Sequence, residues 1–218
     1  MRRVRGSLWS ICVLASAFGQ LSANTLLLSG GSGAPRRGEG FSLGTQFVVT
    51  SPYIPVVTAL GIFDLGGAFA NDHEIGLWDD TLGGTMIGDA TVTAASTNAS
   101  TPAGFLFASL PSPVALVHGH TYTLAAYYAG SLSPDAGDFL RDPGGNPGMD
   151  PNFGSFVGKF SPSNTIGHLS EPTGSFGDAY VGANMQFTVP EPGTFLAGFV
   201  SMCLLALCKA GQRGTDRG

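Results

Sequence analysis

Glycine and proline punctuate residues 41–189 so often that no long helix can run through them. The 218-residue chain holds 33 glycines and 14 prolines. The helical period of apolar residues is absent from its middle. What recurs is short alternation, every second residue apolar, bounded by Gly, Pro, Asn or Asp. Such alternation places the apolar set on one face of a strand. Many short strands separated by turn residues indicate a sandwich or barrel. The sequence therefore predicts an all-β fold, a single antiparallel β-sandwich of jelly-roll-like type, over residues 41–189.

The runs can be taken in order. Residues 41–50 read as a strand with Phe41, Leu43, Thr45, Phe47 and Val49 in phase. Residues 54–64 read as the next, with Val57, Ala59, Gly61 and Phe63 sharing a face, and Pro55 places its start near an edge. Residues 73–80 and 85–94 read as a hairpin around the turn Asp80-Thr81-Leu82-Gly83-Gly84, with Ile75 and Leu77 alternating. Residues 105–110 form a further strand, and Pro111 and Pro113 separate it from residues 114–117. His118-Gly119-His120 is a tight turn, followed by residues 121–128 with Tyr122, Leu124, Ala126 and Tyr128 facing one way. Residues 130–152 read as a long loop, 153–160 as a strand and 165–178 as loose chain. Residues 179–189 carry the clearest alternation: Val181, Ala183, Met185, Phe187 and Val189 against Gly182, Asn184, Gln186 and Thr188. Residues 24–40 turn Gly/Ser-rich and read as a mobile lead-in.

Both ends of the chain are apolar with basic flanks. Arg2, Arg3 and Arg5 precede an apolar stretch, residues 8–18, and Leu21-Ser22-Ala23 is a small-residue cleavage site. Residues 1–23 thus read as a signal peptide, with cleavage between Ala23 and Asn24. At the other end Val189-Pro190-Glu191-Pro192-Gly193-Thr194 leads into the apolar run 195–208, and Lys209, Arg213 and Arg217 follow. Pro190 and Pro192 fix φ and extend their neighbours, so Glu191 is presented on a stiff segment. The run is shorter than the roughly 20 residues that span a bilayer comfortably, but Lys209 can snorkel. The basic residues 209–218 then stay on the cytoplasmic side. The expectation is a C-terminal transmembrane helix.

This tripartite tail resembles the PEP-CTERM sorting signal of exported bacterial proteins, in which the tail is recognised and processed by a membrane protease-transpeptidase, exosortase. The resemblance covers about the last thirty residues. It implies that residues 189–193 are recognition elements, that exosortase and the membrane are partners, and that the protein passes through the inner membrane to the cell surface or extracellular matrix. It also suggests association with exopolysaccharide or biofilm. The order of residues 59–64, 73–79, Phe105, Leu110 and 119–122 is similar to a β-sandwich domain found in other PEP-CTERM proteins, which implies a fold and no activity.

Charge and cysteine content narrow the function further. Residues 24–192 carry four basic and fourteen acidic side chains, net −10, with no basic patch. Such a surface is repelled by nucleic acid and by anionic membrane. Cys12, Cys203 and Cys208 all lie in the two apolar ends, so the domain between has no disulfide and no thiol chemistry.

The remaining chemistry is sparse. His73, Glu74, Asp79 and Asp80 form the densest ionisable cluster, the only footing for a hydrolase, although His73 and Glu74 point to opposite faces. His118 and His120 could approach a metal, but Gly119 favours a turn and no third ligand is evident. Asp135, Asp138 and Asp142, with Asp150, dot the long loop and are weak Ca²⁺ candidates, without the spacing of a known calcium loop. Trp78 and Tyr127 are candidates for a sugar-stacking face, Tyr127 because its phase is opposite to that of Tyr122 and Tyr128. The sequence carries no phosphate loop, nucleophile elbow or dinucleotide fingerprint, and no cofactor is expected. The leading expectation is a non-enzymatic envelope or matrix protein. The alternative is a surface carbohydrate-binding module, and a hydrolase ranks third.

Overall fold

The alternation is realised as strands wherever a neighbouring strand can bury one face. A computed structural model describes residues 25–28, 34–36, 41–63, 72–93, 95–96, 104–128, 139–142, 148–160, 169–176 and 179–189. Residues 1–24, with Ala23 and Asn24 among them, and the residues from Pro190 onward lie outside the described residues. The strands are β1 (Thr25–Leu26), β2 (Ala34–Arg36), β3 (Phe41–Val49), β4 (Val56–Phe63), β5 (His73–Asp79), β6 (Thr85–Val92) and β7 (Phe105–Ala115). They continue as β8 (Thr121–Tyr128), β9 (Phe139–Asp142), β10 (Phe153–Phe160), β11 (Gly174–Phe176), β12 (Ala179–Val181) and β13 (Ala183–Thr188). A 3-10 turn, Asp80–Leu82, joins β5 to β6. Among the described residues no helix is long and apolar enough to cross a membrane; the run 195–208 lies outside them.

The strands form three sheets, ordered β1-β13-β4-β7, β11-β10-β3-β8-β5-β6 and β12-β9-β2. Every pairing is antiparallel. The first two sheets share one core, a sandwich-like arrangement within the compact unit Ala23–Val189. Leu43 and Phe47 of β3, Leu77 of β5 and Leu124 of β8 meet Leu60 and Ile62 of β4 and Phe187 of β13. Phe153 joins the layers, with its ring edge-on to Phe47 at 5.2 Å and to Phe187 at 4.9 Å. The second face of the four-stranded sheet is covered too. Ala59, Phe63, Phe105 and Phe107 pack there with Val181 and Leu26.

Several sequence expectations are corrected. Val57, Ala59, Gly61 and Phe63 do not share a face. The β4–β7 register shifts between Val57 and Ala59, so Val57, Leu60 and Ile62 point into the main core while Ala59 and Phe63 point out. The prolines do not split β7, which runs through both. Ala59 faces Ser109 and Val57 faces Val114, so residues 110–113 sit in that irregularity on an edge strand, where a missing N–H costs no ladder bond. The run 179–189 is two strands, since the chain bends at Gly182 and β12 pairs with β9 while β13 pairs with β4 and β1. The loop 130–152 contains β9, the loose segment 165–178 contains β11, and the lead-in contains β1 and β2.

One side chain explains why residues 25–28 are fixed. Asn184 Oδ1 accepts from Leu28 N at 3.1 Å, and Asn184 Nδ2 donates to Leu28 O at 2.8 Å. The carboxamide thus continues the β1–β13 ladder after Leu27 N has bonded Met185 O. Asn184 is fully buried and would be costly there without these partners.

Candidate functional site

The densest set of polar side chains gathers where β5 ends, β8 begins and β3 passes beside them. Asp79 is in phase with Ile75 and Leu77 and therefore turns inward, where it is 3 % exposed. A buried carboxylate needs donors, and Asp79 has them. Its Oδ1 accepts from Leu82 N at 3.2 Å, capping the 3-10 turn. Its Oδ2 accepts from His120 Nδ1 at 2.9 Å. The Tyr122 hydroxyl bonds it as well and accepts from Val117 N at 2.8 Å.

Burial pushes the Tyr122 phenol above the ordinary tyrosine range. The Val117 N–H partly offsets this, and the charge of Asp79 and the hydrogen bond to it add to the rise. The ring stacks beside His120, with centroids 6.1 Å apart.

Asp80 serves the outer side of the same sheet. Its Oδ2 accepts from Gln46 Nε2 of β3 and from Thr123 Oγ1 of β8, the latter at 2.8 Å. Thr81 Oγ1 accepts from Thr121 N at 2.9 Å. The turn after β5 is thereby stitched to β3 and β8 by side chains as well as by the ladder.

The chemistry open to this cluster is limited. Asp79 fixes the His120 ring through Nδ1, as an orienting carboxylate does for a general base. Among the described residues no hydroxyl or thiol is bonded to the other ring nitrogen. Nor does any group of three or more His, Cys, Asp or Glu among them suit a metal ion. The arrangement is that of a fastener between two strands and a turn.

The residues singled out from sequence are dispersed. His73 and Asp79 stand at opposite ends of β5, about 20 Å apart at the usual rise per residue, so the His73–Asp80 region does not converge on one point. His73 donates through Nδ1 to Tyr127 O at 3.3 Å. Glu74 faces the other way and accepts from Leu169 N at 3.2 Å. His118 and His120 part company, His118 donating through Nδ1 to Ser51 O at 2.9 Å.

Trp78 is 3 % exposed and offers no aromatic plane to solvent. Gly76 has no side chain, and the indole occupies the space where a Cβ would stand, 2.4 Å from the ring. Tyr127 is half-buried on the same outer face. Asp142 ends β9 opposite Ala179, whereas Asp135 and Asp138 lie outside the described residues. Asp150 is used locally, its Oδ1 accepting from Asn152 N and Nδ2. Val189 follows β13 and is half-buried; Pro190, Glu191, Pro192 and Gly193 lie outside the described residues.

The pairs His120–Asp79, Gln46–Asp80 and Thr123–Asp80 join residues 34 to 43 positions apart and were not anticipated from sequence. One signal was present: the phase of Ile75 and Leu77 carries on to Asp79 and marks it as an inward carboxylate in need of donors. Comparison with protein-family models finds none that matches this chain, and comparison with curated proteins likewise finds no match.

Proposed function

We propose that this is an exported bacterial surface or matrix protein, sorted through a PEP-CTERM-type tail and without enzymatic activity. On this reading the described domain is a jelly-roll-like sandwich set between a cleaved leader and a C-terminal membrane helix. Its association is with exopolysaccharide. The observation that carries the reading is the order of parts at the C-terminus. β13 ends at Thr188, and the motif Val189–Gly193, the apolar run 195–208 and the basic residues 209–217 follow with no intervening linker. The confinement of all three cysteines to the ends supports it, since the domain needs no redox compartment to hold its fold.

The test is the mass and both termini of the protein recovered from its native host, membrane and extracellular fractions taken separately. The expected product starts near Asn24 and ends near the Pro190–Pro192 motif in the released fraction. Replacing Pro190, Glu191 and Pro192 by alanine should leave the domain folded and stop processing. Normal maturation of that variant would refute the sorting role.

A further inference from the structure

Every exposed large apolar side chain among the described residues lies at one end of the domain: Tyr53, Ile54, Leu82, Met86 and Val117. They come from three separate connections. Tyr53 and Ile54 sit between β3 and β4, Leu82 and Met86 at the β5–β6 turn, and Val117 between β7 and β8. Hydrogen bonds hold these connections together. His118 Nδ1 donates to Ser51 O, Leu116 N to Pro55 O, Gly119 N to Val49 O and Thr121 N to Thr81 Oγ1. Gly119, at φ 79°, allows the tight turn that closes the set. Ile54 is 57 % exposed and Val117 50 %.

The chain also leaves the domain at this end. Thr188, the last residue of β13, pairs with Val56, two residues after Ile54. From Val189 to Phe195 is six residue steps, which span at most about 20 Å when extended. Once the run 195–208 is in a bilayer, the tether holds Val189, just after the end of β13, within that distance of the lipid. The contact of the loops with lipid is then intramolecular, so a weak intrinsic affinity is enough to hold it. No Lys or Arg among the described residues belongs to these connections, so attraction to lipid charge is not the driving force. Tyrosine and aliphatic side chains suit the headgroup boundary itself.

We infer that the loops bearing Tyr53, Ile54, Leu82 and Val117 form a membrane-resting surface that seats the domain on the bilayer before the tail is processed. The inference rests on the tail being membrane-inserted.

The experiment uses full chains with Cys12, Cys203 and Cys208 replaced by serine, reconstituted into phosphatidylcholine vesicles. Each carries one nitroxide-labelled cysteine, introduced as Ile54→Cys, Val117→Cys, Thr91→Cys or Val200→Cys. Collision with oxygen, which favours lipid, is compared with collision with a water-soluble nickel complex. The expected result is loss of nickel collision at 54, 117 and 200, with full nickel collision at 91. A lipid-phase label at 200 with aqueous labels at 54 and 117 would overturn this inference and leave the tail reading standing. An aqueous label at 200 would overturn both. Dipolar broadening at 54 that disappears on dilution with unlabelled chain would assign the surface to a second copy instead of lipid and would likewise overturn it.

Discussion

At the scale of single residues, the fold depends on polar side chains placed where the backbone runs out of partners. Asn184→Ala would leave Leu28 N and O without the carboxamide that completes their pairing. Each buried group so orphaned costs about 1–3 kcal/mol, and the loss should appear as a lower denaturant midpoint with an unchanged slope. Tyr122 supplies a pH dependence whose sign is fixed. Its proton is held more tightly in the folded chain than in the unfolded one. Once pH rises past the usual tyrosine value of about 10, the folded state therefore holds more protons than the unfolded state, and stability falls there. The contribution is complete below that value and is lost as pH rises through the raised folded pKa. Tyr122→Phe should flatten the alkaline fall measured by urea unfolding, while lowering stability at neutral pH because Val117 N loses its acceptor. A variant with the same alkaline slope as the parent would show that another group sets it.

At the scale of elements, the strand β5 shows how a small residue and a large one are used as a pair. Trp78 lies over Gly76, two residues back on the same face. Gly76→Ala places a methyl within the ring and should swing the indole outward. In a Trp9→Phe background, which leaves Trp78 as the sole tryptophan, its emission should shift to the red and stability should drop. In a Trp78→Ala background the same glycine substitution should cost much less, a non-additivity expected of direct contact. Additive costs would mean that the glycine is needed for a different reason. This pair also marks the limit of what was legible. The alternation of β3, β5, β8 and β13 could be read directly, because a half-buried strand imposes period two on its own residues. The burial of Trp78 could not, because it depends on what covers the outer face. The same holds for β4. Its phase reverses beside the proline-bearing stretch of β7, and a register shift belongs to the pair of strands, not to either sequence alone. Asp79 lay between these cases, its inward direction readable from Ile75 and Leu77 and its partner His120 not.

At the scale of the whole molecule, the last strand is the one the rest cannot do without. β13 lies between β1 and β4, and its Met185 and Phe187 enter the shared core while Asn184 and Gln186 are buried on the other face. A chain ending at Val189 keeps every described strand; a chain ending at Val181 removes an interior strand and opens both faces of the four-stranded sheet. The first should unfold in one cooperative urea transition at the midpoint of the corresponding longer chain, with or without reducing agent, since residues 24–189 contain no cysteine. The second should show no cooperative transition. The two truncations together bracket the point at which a shortened chain stops folding, between Val181 and Val189. That point falls before Pro190 in the sequence, so removal of everything from Pro190 onward should leave the fold intact. A chain ending at Val181 that still unfolded cooperatively would break this link between the fold and the position of the motif.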